Sequence, residues 1–78
     1  SPMQYYKKWA IVSPLANEEP DFVAFIKEMN FVINELNPGQ VYLVVDNASK
    51  DRTLEMCREL SASDPRYVTV YAPENRNV

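Results

Sequence analysis

The chain has no histidine, one glycine and one cysteine among its 78 residues. Without histidine, proton transfer near neutral pH falls to carboxylates, to Cys57 or to groups outside this chain. A single glycine, Gly39, cannot supply the glycine-rich turns of a P-loop or of a dinucleotide-binding motif, which argues against both. A lone cysteine excludes an internal disulfide and fits a reducing compartment. Positive charge is also scarce: 8 Lys and Arg stand against 11 Asp and Glu, giving a net charge of −3. No basic cluster extends past Lys7 and Lys8, so there is no field to attract nucleic acid. No apolar run approaches the roughly twenty residues that a membrane span needs. The start lacks the charged and apolar regions of a signal peptide, and Ser1 and Pro2 ahead of Met3 read as a leftover of cloning.

What is present is a folded composition, 46% hydrophobic and 24% charged, in one domain near the size at which a single core becomes marginal. There is no repeat, low-complexity tract or linker. Residues 1–7 are expected to be a flexible lead-in. A first strand is predicted over Trp9 to Ser13, stopped by Pro14, which has no N–H to give a ladder. Pro20 suits the first turn of a helix. From there Phe22, Phe25, Ile26, Met29, Val32, Ile33 and Leu36 recur at three- and four-residue spacing, marking one helix face. Asn37-Pro38-Gly39 is a helix stop.

Val41 to Val45 is apolar at nearly every residue, as in a strand covered on both faces. Asp51 is placed to cap a second helix by accepting from N–H groups near Thr53 and Leu54. That helix carries Leu54, Cys57 and Leu60 on one side and closes at Asp64-Pro65-Arg66. Tyr67 to Ala72 alternates around Val68 and Val70 as a third strand. Strand, helix, strand, helix, strand is the order of βαβ units: an α/β fold with a parallel sheet. Right-handed crossovers predict strand order 3-2-1 and leave the apolar first strand on an edge that something should cover.

Polar groups gather at the strand ends: Asn17, Glu18 and Glu19 after the first, Asp46, Asn47, Ser49 and Asp51 after the second. Open parallel sheets bind ligands outside the carboxyl ends of their strands. Amides and carboxylates there suit the edge of a nucleobase or the hydroxyls of a ribose. The plainer alternative is turn shaping and helix capping. It is the better account of Asp51, the weaker one for Asp46 and Asn47, and equal for Glu18 and Glu19, which can simply favour a helix N-terminus. Cys57 sits on an apolar helix face with no basic neighbour, as a small hydrophobe does.

Pro14-Leu15-Ala16-Asn17-Glu18, the long amphipathic helix, Val45-Asp46-Asn47-Ala48-Ser49-Lys50-Asp51-Arg52-Thr53 and Glu74-Asn75-Arg76-Asn77 follow one another over about seventy residues. In that order they resemble the P-x-Y-N-E, V-D-[DN]-x-S-x-D-x-T and E-N-x-G segments of GT-A fold glycosyltransferases of the family 2 type. That family includes dolichol-phosphate mannose synthases and bacterial polysaccharide transferases. Ala16 stands where the family usually places a tyrosine beside the base, and Asn77 replaces its glycine.

The resemblance implies a Rossmann-like, three-layer fragment, the N-terminal half of a cytoplasmic enzyme that transfers sugar from a nucleotide-diphosphate donor of UDP or GDP type. It implies that Pro14, Leu15, Ala16, Glu18, Asp46 and Asn47 hold the base and ribose. Mg or Mn would enter through a D-x-D motif after a fourth strand, outside this chain, so no catalytic or metal-binding residue is assigned and the fragment alone is expected to be inactive. Expected partners are the nucleotide sugar and, through the open edge of the first strand, a second copy. Two rivals remain: a non-catalytic interaction or structural domain, and a receiver-like signalling domain. The second fits poorly, because it needs an acidic pair after the first strand and an aspartate after the third.

Overall fold

The computed structural model of the chain describes residues 8–36, 39–47 and 49–73. The expectations for residues 1–7, for the Asn37-Pro38 part of the helix stop and for Glu74 to Asn77 lie outside the described residues.

The elements are β1 (Trp9–Leu15), a short 3-10 turn (Glu19–Asp21), α1 (Phe22–Glu35), β2 (Gly39–Val45), α2 (Thr53–Ser63) and β3 (Tyr67–Tyr71). The three strands form one parallel sheet in the order β1-β2-β3. Parallel neighbours require long crossovers, and each of the two crossovers carries a helix. Trp9 pairs with Gly39 and Leu15 with Val45, so β1 and β2 run alongside each other over their full length. β3 is shorter and pairs from Val41↔Tyr67 to Val45↔Tyr71.

β1 continues past its expected stop, with Pro14 paired to Val44. A proline is tolerated there because β1 is an edge strand with only one neighbour to satisfy. Pro20 lies in the 3-10 turn that leads into α1, held by Asp21 N–H donating to the Glu18 carbonyl at 3.0 Å. Of the predicted helical stripe, Phe22, Ile26 and Ile33 are buried, and Phe25 and Met29 flank the core. Val32 and Leu36 lie on its exposed margin.

One cluster joins both helices to one face of the sheet: Phe22, Ile26 and Ile33 from α1, Cys57 from α2, and Leu15, Val41, Leu43, Val45 and Tyr67 from the strands. Strand side chains alternate between faces, so these strand residues all project to the same side. The opposite face carries Ala10, Val12, Pro14, Tyr42, Val44, Val68 and Val70, all exposed or half-buried, with Val12 67% exposed. This corrects the expectation that β2 is covered on both faces. Two crossovers of the same hand that step in the same direction across a sheet deliver both helices to one side. The described residues therefore make two layers, not three.

Polar links fasten the end of the sheet remote from the strand-end loops. Tyr67 is buried and donates its hydroxyl to Asn30 Oδ1 on α1 at 2.6 Å. The Arg66 guanidinium pairs with Asp64 at 2.8 Å and donates to Asn34 Oδ1 at 2.7 Å. Gly39 needs no special backbone angle, since no glycine has a positive φ. Its missing side chain makes room for the Trp9 ring, which fills the space where a Cβ would stand. The Trp9 indole N–H donates to the Leu36 carbonyl.

Candidate functional site

The pairing of Leu15 with Val45 makes the loops after β1 and β2 leave the sheet side by side. Asn17 turns the first loop with a left-handed backbone, φ 55°, a conformation that asparagine adopts more readily than most residues. Its side chain then meets the second loop. Lys50 N–H donates to Asn17 Oδ1 at 2.7 Å, and Asn17 N–H donates to Ser49 Oγ at 3.2 Å.

Next along the first loop, Glu18 N–H donates to Thr53 Oγ1 at 2.8 Å and Glu19 N–H to Asp51 Oδ2 at 3.0 Å. Arg52 N–H returns a bond to Glu19 Oε1 at 3.3 Å. Asp51 Oδ1 meanwhile accepts Thr53 N–H at 2.9 Å and the Thr53 hydroxyl at 2.5 Å. The predicted acceptance from Thr53 N–H is thus present, but Arg52 rather than Asp51 holds the N-cap position of α2, and Asp51 also ties the two loops together. The Thr53 hydroxyl, ahead of the amides of Thr53 and Glu19 and the Ser49 hydroxyl, holds the Asp51 carboxyl below its ordinary pKa, against an opposing contribution from burial.

The six residues expected to hold a nucleotide do not all converge. Ala16 and Asn47 are exposed, and Asp46 and Glu18 half-buried, all at the carboxyl end of the sheet. Pro14 and Leu15 are still within β1 and point to opposite faces. Pro14 lies on the open face, and Leu15 is buried in the core, leaving only its main chain to offer a ligand. Glu18 takes part through its backbone N–H.

Thr53 was not singled out from the sequence, yet it is the one buried polar side chain among the described residues. Its signal was the Ser49, Asp51, Thr53 spacing of two, which lets one carboxylate reach both hydroxyls (Ser49 Oγ at 3.5 Å).

Grooves lie along both helices among the described residues. One of about 550 Å³ lies against α2 beside Asp51, Leu54, Arg58 and Ala62. Another of about 320 Å³ runs along α1 beside Phe22, Ile26 and Asn30. Neither is lined by any of the six expected residues. Among the described residues no group of three or more Cys, Asp and Glu side chains is placed to hold a metal ion. Burial raises the Cys57 thiol to about 11, which leaves it protonated and inert at neutral pH. No helix among the described residues is long and apolar enough to cross a membrane. The strand ends thus offer hydrogen-bond donors and acceptors. Set against protein-family models, curated proteins and solved structures, the chain matches none.

Proposed function

We propose that this chain is the nucleotide-holding part of a cytoplasmic GT-A type glycosyltransferase with a Rossmann-like fold. In this reading Ala16, Glu18, Asp46 and Asn47 face the base and ribose of a UDP- or GDP-sugar, with the Pro14 and Leu15 main chain behind them. The observation that supports it is the adjacency of two polar loops at the carboxyl ends of parallel neighbours β1 and β2, where such sheets bind ligands. Metal binding and sugar transfer would belong to residues outside this chain, and the open β1 edge would pair with a second copy, read by sedimentation.

The test is a two-dimensional NMR titration of the labelled protein with UDP, then GDP and CDP. Selective shifts at Ala16, Asp46 and Asn47 are expected with one of the three. Dispersed spectra that ignore all three nucleotides refute the reading. They would favour the alternative, a non-catalytic interaction domain, which is supported by two grooves that none of the six expected residues lines and by the uncovered apolar sheet face.

A further inference from the structure

Among the described residues, five hydrogen bonds cross between the loop after β1 and the loop after β2: Asn17 to Ser49, Glu18 to Thr53, Glu19 to Asp51, Lys50 to Asn17 and Arg52 to Glu19. In every one a backbone N–H meets a side-chain oxygen. Backbone-to-backbone bonds among the described residues of these loops stay inside their own segments, as from Asp21 to Glu18 and from Ser49 to Asp46. The crossing bonds also interlock. Asn17 gives an N–H to Ser49 and receives one from Lys50, and Glu19 gives to Asp51 and receives from Arg52. Each loop has to be in place before its partner's amides find acceptors.

We infer that residues 16–19 and 49–53 form one cooperative rim that opens and closes as a unit, with Asp51 as its hub. Asp51 accepts Glu19 N–H directly. It also accepts the hydroxyls of Ser49 and Thr53, whose oxygens receive Asn17 and Glu18. Three of the five crossing bonds therefore depend on it. The other two, at the amides of Lys50 and Arg52, involve no Asp51 atom and report on cooperativity. Side-chain networks of this kind open as contiguous units when their members share acceptors. A ligand resting on either loop would then steady both. This inference stands whether or not the ligand is a nucleotide.

The experiment is native-state amide hydrogen exchange, followed by NMR on the whole chain at low temperature, with D51A beside the unsubstituted protein. Cooperative opening lowers protection at Lys50 and Arg52 about tenfold or more, together with Glu18 and Glu19, as expected when a charged acceptor is lost. The amides of β2 keep theirs. Unchanged protection at Lys50 and Arg52 beside loss at Glu19 overturns the inference, as does the absence of protection at these amides before any substitution. If D51A loses protection in β2 as well, N17G decides. Glycine keeps the left-handed turn and removes the whole side-chain carboxamide, Oδ1 included, while leaving the backbone N–H that bonds Ser49. A cooperative rim then loses protection at Glu19, whose acceptor is Asp51, whereas independent loops lose it at Lys50 alone.

Discussion

Replacing Gly39 with alanine puts a methyl group where the Trp9 ring now lies, with Cζ2, Cε2 and Cη2 as the nearest atoms. The two residues are register partners across β1 and β2, so backbone movement cannot separate them without breaking the ladder. The ring has to leave. Re-exposing about 80 Å² of it at about 25 cal/mol per Å² costs about 2 kcal/mol. Loss of the indole bond to the Leu36 carbonyl adds about 1 kcal/mol. Alanine returns about 0.5–1 kcal/mol by reducing the freedom of the unfolded chain. The net is a loss of about 2 kcal/mol, or a fall in Tm of about 8–16 °C for a domain of this size.

Trp9 is the only tryptophan, so its fluorescence reports both the equilibrium and the environment of the ring. Urea unfolding of Gly39→Ala should show a lower midpoint and a red-shifted native emission. In a Trp9→Ala background the same glycine substitution should be neutral or stabilising, followed by circular dichroism. A Gly39→Ala protein within about 0.5 kcal/mol of the parent, with unchanged emission, would refute the assignment of Gly39 as the seat of the ring.

Tyr67→Phe deletes the buried hydroxyl that donates to Asn30, costing about 1 kcal/mol in urea unfolding; in the parent, spectrophotometric titration should place this phenol at about 12, raised chiefly by burial. The two sheet faces should respond oppositely in thermal melts: Val12→Lys on the open face changes stability by less than about 0.5 kcal/mol, whereas Leu43→Ala on the covered face costs about 2–5 kcal/mol. Asp51 and Asp64 are both held below their ordinary values, chiefly by bonds from Thr53 and Arg66 respectively. Depressed carboxylates add stability above their unfolded pKa of about 4 that is lost as pH falls through the lower folded value, so urea midpoints should be flat from neutral pH to about pH 5 and decline below about pH 4. A midpoint that rises on acidification contradicts both assignments.

The order and type of the elements were legible in the chain because they rest on local signals. The Phe22 to Ile33 spacing, the apolar run Val41 to Val45 and the Asp51 to Thr53 bond each act within a few residues. Asn17 was legible only as a polar residue at a strand end. Its left-handed turn and its bond to Lys50, 33 positions on, are matters of tertiary contact.

By itself, then, the sequence determined an α/β chain of three strands and two helices, a core stripe on α1, and polar loops after β1 and β2. Local periodicity and turn chemistry suffice for that. Only the tertiary structure decided that Pro14 stays in its strand, because tolerance of a proline depends on which edge it faces. Only the fold as a whole set Trp9 over Gly39, 30 residues apart in the chain but opposite in register. It also placed both helices on one face, leaving Val12, Val44 and Val70 uncovered. An apolar run reads the same whether one face or two are buried, since its composition carries no record of which neighbours arrive.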